Sequence, residues 1–230
     1  ERLVITVLLF VVVATPLYTN TVDFGDFWSQ PAVAFDGETQ SSQSDAFFRA
    51  QIGVEAGDLV LIAADYGPSG AYELDVLLQT ITNHLAARGA RPVIVSTNAV
   101  GLLRADSIVG ELYGADNRNT GFYSARFLPG AQIGLRDLVN RPQDVLAIDV
   151  EGNPTNLSIT SLDDFVLGYI VTDSIETARL YVEQVLPNTQ TPFIMVTGQA
   201  AKPVVTTYAE GRDDIVGMLN GYADAVTYSE

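Results

Sequence analysis

The stretch from residue 57 to residue 97 constrains the fold more than any other part of the sequence. Residues 59–64 (LVLIAA) form an unbroken apolar run, short enough for a strand that is buried on both faces. A loop with two glycines and a proline follows, and apolar residues then recur at three- and four-residue spacing until Gly89 ends the helix. Residues 92–95 (PVIV) are a second apolar run. A strand, helix and strand of this length close as a right-handed crossover, so we predict two parallel neighbouring strands.

The same alternation continues to the end of the chain. Further helices are predicted at 102–113, 131–138, 175–185 and 200–210, and further strands at 120–123, 165–171, 193–196 and 215–218. A short helix at 44–52 is expected to place Phe47, Phe48 and Ile52 against the sheet. We therefore predict an α/β fold over residues 58–230, with a Rossmann-like, mostly parallel sheet of strand order 3-2-1-4-5 and helices on both faces.

Composition limits the classes of partner. With 230 residues, of which 47% are apolar, the chain can bury one sizeable core. The net charge is −16 and Lys202 is the only lysine, which argues against nucleic acid as a partner because phosphate contacts need clustered Arg and Lys. The chain has no cysteine, which excludes disulfides, thiolate nucleophiles and Fe–S clusters.

An uncharged apolar run occupies residues 3–18. At about 1.5 Å per residue it extends roughly 24 Å, slightly less than a hydrocarbon core of about 30 Å. We predict an uncleaved transmembrane anchor over residues 1–20, containing Leu3, Phe10 and Tyr18, in preference to a cleaved signal peptide, because no small-x-small cleavage site follows the run. Arg2 precedes the run and an acidic domain follows it, which places the α/β domain on the extracytoplasmic side.

An aromatic-rich connector over residues 21–57 is predicted to follow the anchor. Its first aromatic cluster, residues 24–28, ends at Trp28 and is expected to lie at the membrane interface, where amphipathic rings partition well. Packing of these rings on the globular domain or on a partner protein is an equally good interpretation.

Several short motifs together resemble an uncharacterised family of bacterial membrane-anchored proteins. They are LVLIAADY at 59–66, ELD at 73–75, RGAR at 88–91, VST at 95–97, LPG at 128–130, TDS at 172–174 and AVTY at 225–228. The resemblance spans most of residues 58–230. It implies an N-terminal membrane helix, a Rossmann-like extracytoplasmic domain and often a further membrane helix downstream. No activity is established for that family, so the resemblance implies no catalytic residues.

The usual catalytic and cofactor motifs are missing from the sequence. The first strand–helix loop contains Gly67 and Gly70 but not the G-x-G-x-x-G spacing, and no P-loop motif occurs. The one histidine, His84, falls within the first predicted helix, where neither a Ser-His-Asp triad nor a multi-histidine metal site is easily assembled. We therefore predict no cofactor and no bound metal. The remaining carboxylates would favour hard cations such as Ca²⁺ over other metals.

Polar residues at the carboxyl ends of the strands are the remaining candidates for ligand binding, because open α/β sheets bind ligands there. The candidates are Asp65, Ser96, Asp173 and Gly198, with Thr97 and Ser174 beside them. Helix capping and turn formation explain the same residues, and we favour that interpretation. In the predicted strand order Asp65 and Asp173 face each other across a crevice. We expect each carboxylate to turn away, cap its own helix and accept backbone N–H groups.

These observations together predict a non-catalytic accessory or structural subunit of a membrane protein complex. Its expected partners are other membrane protein subunits and, through residues 3–18, the lipid bilayer. The alternative is an extracytoplasmic small-ligand-binding or hydrolytic domain that uses the carboxyl edge of the sheet. Fold alone does not distinguish these two functions.

Overall fold

The computed structural model of the chain describes residues 47, 49–114, 123–209 and 211–221. Within them lies a six-stranded sheet in the order β3-β2-β1-β4-β5-β6, and every pair of neighbouring strands is parallel. The predicted order is confirmed, and a sixth strand extends it beyond β5. The strands are β1 (Leu59–Asp65), β2 (Arg91–Ser96), β3 (Ser124–Phe127), β4 (Leu167–Thr172), β5 (Phe193–Thr197) and β6 (Ile215–Asn220).

Helices connect the strands and cover both faces of the sheet, as predicted. They are α1 (Ala71–Arg88), α2 (Ala99–Tyr113), α3 (Ala131–Asn140), α4 (Pro142–Val145), α5 (Ile175–Leu180) and α6 (Lys202–Ala209). The predicted helix at 175–185 does not stay α-helical, since α5 continues as a π-helical turn (Tyr181–Val185) and then a 3₁₀ turn (Leu186–Asn188). A further 3₁₀ turn, Leu162–Asp164, precedes β4.

The apolar run of β1 is buried on both sides, which is why it shows no alternation. Ile62 belongs to the core between the sheet and helices α1 and α2, whereas Leu61 belongs to the core shared with α3 and α5. Both side chains are fully buried. Burial of a side chain of this size stabilises the folded state by about 1.5–3 kcal/mol. The sheet is therefore the middle layer of three.

The third strand lies later in the chain than predicted. Residues 120–123 were expected to form it, but β3 pairs Ser124 with Val93 and Phe127 with Ser96 of β2. Residues 120–122 lie outside the described residues. Phe127 is the last residue of the strand. Aromatic residues at 122 and 123 suggested a strand, but pairing with β2 decides the register, and local β-propensity is a weaker influence.

A helical segment before β1 packs on the sheet, as predicted, although not through all the predicted residues. Phe47 is fully buried, and its ring meets the ring of Tyr169 edge-on with centroids 6.3 Å apart. Gln51, one helical turn later, donates from Nε2 to the Tyr169 hydroxyl over 2.5 Å. Ile52 is 49% exposed, so its predicted packing is wrong: it lies one residue out of phase with Phe47 and Gln51. Phe48 is outside the described residues.

No helix in the described part of the chain is long and apolar enough to cross a bilayer. The run at residues 3–18 and the cluster at 24–28 lie outside the described residues. The anchor containing Leu3, Phe10 and Tyr18, and the interfacial position of Trp28, therefore stay predictions.

Candidate functional site at the carboxyl edge of the sheet

The parallel sheet brings the four predicted site residues to one edge. Asp65 is the last residue of β1 and pairs with Thr172, the last residue of β4, so the predicted neighbourhood of these strands is confirmed. Ser96 ends β2, and Gly198 immediately follows β5. Asp173 follows β4 directly. This edge is the candidate functional site, since crevices at the carboxyl ends of strands are where open α/β sheets bind ligands.

Asp65 is buried and its carboxylate is surrounded by hydrogen-bond donors from the β2–α2 loop. Its Oδ1 accepts from the Ser96 hydroxyl at 2.7 Å, from the Thr97 backbone N–H at 2.5 Å and from the Asn98 backbone N–H at 3.1 Å. The Thr97 hydroxyl adds a further contact at 3.1 Å. Only 3% of Asp65 is exposed. The carboxylate therefore ties the ends of β1 and β2 together.

The second oxygen of Asp65 binds the opposite helix layer. Its Oδ2 accepts from the hydroxyl of Tyr181, the first residue of the π-helical turn, over 2.6 Å. Burial and the charge of Asp65 raise the pKa of Tyr181 well above its usual value, so the phenol stays protonated and remains a donor. Both carboxylate oxygens of Asp65 therefore accept hydrogen bonds from the chain itself, Oδ1 from the β2–α2 loop and Oδ2 from Tyr181.

Asp173 ties the loop after β1 to the loop after β4. Its Oδ1 accepts from the Gly67 backbone N–H at 3.3 Å, and its Oδ2 accepts from the Ser69 hydroxyl at 3.2 Å. The loops approach so closely at Gly70 that a Cβ there would lie 2.6 Å from the Cβ of Asp173. The crevice expected between these loops is therefore filled by the chain's own atoms.

The expectation that each aspartate caps its own helix is wrong. Asp65 lies six residues before α1, too far to reach its first turn, and the N-cap position of α1, Gly70, has no side-chain hydrogen bond. Ser174, not Asp173, caps α5 by accepting from the Thr177 backbone N–H at 3.3 Å. Both aspartates do accept backbone N–H groups, as predicted, but from neighbouring loops. In a parallel sheet these loops emerge side by side at the same edge, which puts their donors within reach.

Glu73 makes a third link across the edge. Its Oε2 accepts from the Gln199 backbone N–H at 2.8 Å, which joins the first turn of α1 to the loop after β5. A Cβ at Gly198 would lie 3.2 Å from the same oxygen, so Gly198 permits this close approach. The predicted site residues did not include Glu73. Its acidic side chain in the first turn of a helix that follows a strand was the feature of the sequence that could have indicated a role at this edge.

A polar network missed by the sequence analysis lies beside this edge. Asp75 on α1 accepts a bidentate pair of hydrogen bonds from the Arg104 guanidinium on α2, and a further bond from the Tyr66 hydroxyl at 2.9 Å. Burial, followed by the charge of Asp75, raises the pKa of Tyr66 far above its ordinary value. The network joins α1, α2 and the end of β1 through the Asp75 carboxylate.

The positions of the described His, Asp and Glu side chains can be compared with the requirements of a metal site. None of these described side chains form a group of three or more that could hold a metal ion. His84 lies half-buried in α1, and burial together with the charge of Arg88 lowers its pKa, which favours the neutral imidazole.

The edge is therefore a set of internal links between four loops, made by Asp65, Asp173 and Glu73. The predicted site residues did not include Tyr181, which falls within the helix predicted at 175–185. A fully buried tyrosine usually requires a hydrogen-bond partner, and that requirement was the available signal. Comparison of the chain with protein-family models, with curated proteins and with solved structures finds no match.

Proposed function

We propose that the chain is a non-catalytic accessory subunit of a membrane protein complex, in which the acidic α/β domain docks on other subunits. The observation that carries the proposal is the closed carboxyl edge of the sheet. Both carboxylate oxygens of Asp65 and of Asp173, and Oε2 of Glu73, accept hydrogen bonds from the chain itself. A general base or ligand-binding carboxylate needs an oxygen that can reach the substrate.

The links across the edge also suit a docking role. They join the loops after β1, β2, β4 and β5 and so hold the surface in one conformation before a partner arrives. Association is favoured when less conformational freedom is lost on binding, and a rigid surface loses little. The alternative, a ligand-binding or hydrolytic domain at this edge, would first have to break several of these hydrogen bonds.

The charge of the chain specifies the kind of partner surface. A net charge of −16 repels acidic surfaces and attracts basic ones. We expect the partner to present clustered Arg and Lys residues, and the rate of association to fall as salt screens the attraction.

The proposal is tested by cross-linking in native membranes, followed by purification of the tagged chain in mild detergent. We expect the same partner subunits to be recovered in fixed stoichiometry, with cross-links to the α/β domain. A control purification after extraction at high salt should recover less of the partners. Recovery of the chain without any stoichiometric partner, under both salt conditions, would contradict the proposal.

A further inference from the structure

A groove lies on the surface between α3 and the π-helical turn. Its volume is about 470 Å³, within the range of about 300–1,000 Å³ that is usual for small-molecule sites. One wall is a stripe along α3 in which Gln132, Arg136 and Asn140 recur at four-residue spacing. Glu183 and Gln184, from the π-helical turn, line the other wall.

The lining is unusually rich in carboxamides. Gln132, Asn140, Gln184 and Asn188 all border the groove. A carboxamide has two N–H donors and an acceptor oxygen, and in Asn188 one N–H already donates to the Gln184 backbone oxygen over 2.8 Å. The walls therefore present both donors and acceptors to a ligand. Vicinal hydroxyl groups on a ligand can donate hydrogen bonds to the carboxamide oxygens and accept them from the carboxamide N–H groups.

The charges in the groove cancel, which selects a neutral ligand. Arg136 and Glu183 are its two charged lining residues. Glu183 Oε1 already accepts from Arg179 Nε over 2.7 Å, and the Arg136 guanidinium lies 3.9 Å from Asp137 Oδ1. An anionic ligand would also meet the repulsion of a chain with net charge −16.

The π-helical turn is an independent observation that points to a site. Such turns are rare, and they frequently occur at functional sites. Here the turn supplies one wall of the groove, and Tyr181 at its start is held by its 2.6 Å hydrogen bond to Asp65. The wall is thus connected to the rigid edge of the sheet.

From these observations we infer that the groove binds a neutral, hydroxyl-bearing ligand of the saccharide class, of mono- or disaccharide size. A peptide fits less well because peptide sites depend on buried aromatic or large apolar anchors, and the apolar lining here is limited to Ile133 and Val139. The inference does not depend on the proposed docking function, which concerns partner subunits.

The test is a titration of the full chain, held in a detergent without a sugar headgroup and followed by saturation-transfer NMR and calorimetry. The probes are glucose, N-acetylglucosamine and maltose, with glucuronate and glucosamine as charged counterparts and a capped dipeptide as the peptide probe. We expect saturable binding of at least one neutral sugar and weaker binding of its charged counterpart. Loss of one neutral hydrogen bond in Gln132→Ala should weaken that binding about twofold to tenfold.

Two further variants locate the site. Ile133, which is 58% exposed at the groove, can be replaced by the larger Trp without disturbing the core, and Ile133→Trp should narrow the groove and weaken binding. Gln79→Ala removes a carboxamide from the exposed face of α1 and should leave binding unchanged. Absence of saturable binding by every neutral sugar, an affinity that Ile133→Trp leaves unchanged, or groove-dependent binding of the capped dipeptide alone would each overturn the inference.

Discussion

Removal of one hydroxyl group, in Tyr181→Phe, should lower the stability of the domain by a clearly measurable amount. Tyr181 is fully buried, and its hydroxyl supplies the 2.6 Å hydrogen bond to Oδ2 of Asp65. Among the described residues it is the one donor to that oxygen, since the other donors bind Oδ1. The substitution keeps the ring and its packing, so the change isolates the hydrogen bond.

The expected magnitude follows from the charge of the acceptor. A hydrogen bond to a charged group contributes about 1.5–3 kcal/mol, and a buried acceptor left without its donor puts the loss toward the upper part of that range. For a domain of this size each kcal/mol lowers the melting temperature by about 2–4 °C, so a loss of about 2 kcal/mol corresponds to roughly 4–8 °C.

Urea unfolding followed by circular dichroism at 222 nm measures the effect. The matched control is Tyr72→Phe, because Tyr72 is 82% exposed and should change the free energy of unfolding by less than about 0.5 kcal/mol. A double-mutant cycle with Asp65→Asn should give a coupling energy of about 1 kcal/mol or more. If Tyr181→Phe were as stable as the control, the buried carboxylate could not be the link between the two layers that we describe.

Two further predictions concern the same edge, and a third concerns an ion pair that precedes β6. Gly70→Ala should destabilise the domain by about 1–3 kcal/mol in the same urea assay, because the added carbon would lie 2.6 Å from Asp173 in the β4–α5 loop. The backbone at Gly70 is right-handed and accepts Ala, so the effect comes from this clash. The control Gly53→Ala has open space around the added carbon and should be nearly neutral. Ser174→Ala removes the N-cap of α5 and should cost about 1 kcal/mol in thermal unfolding; an unchanged melting temperature would refute the cap. The hydrogen bond from Arg212 lowers the pKa of Asp214 in the folded state. The stability that the ion pair contributes is therefore complete above the unfolded pKa of about 3.9 and is lost as pH falls through the lower folded value. Because the pair is partly exposed, this loss of stability below about pH 4 should be under about 1 kcal/mol, and it should be absent in Asp214→Asn.

The sheet could be predicted from the sequence because its strands are short apolar runs separated by helices with clear periodicity. The apolar run at 59–64 is short and is bounded by turn residues, which favours a strand. Because crossover connections between parallel strands are right-handed, few strand orders are then possible. β3 was harder because it is four residues long and follows aromatic residues with the same local preference. Its position depends on pairing with β2, which is not a local property.

The candidate site was only half predictable for the same reason. That Asp65, Ser96, Asp173 and Gly198 share an edge follows from the strand order. The hydrogen-bond donors that contact these side chains cannot be predicted in the same way, because they lie far away in the sequence. Asp65 and Ser96 are 31 residues apart, and Asp65 and Tyr181 are 116 residues apart. Helix capping is a local rule, and it correctly identified Ser174 as a candidate cap but could not foresee links between loops.

The most direct test of the central proposal, that this chain is a docking subunit, is its native mass in a mild-detergent extract of the cells that produce it. Light scattering coupled to size exclusion, corrected for bound detergent, gives the protein mass of the particle, and the mass of the chain alone is obtained in denaturant. We predict a particle several times heavier than the chain, with other subunits present in constant ratio across the peak. A particle with the mass of one chain and no other subunit would contradict the proposal.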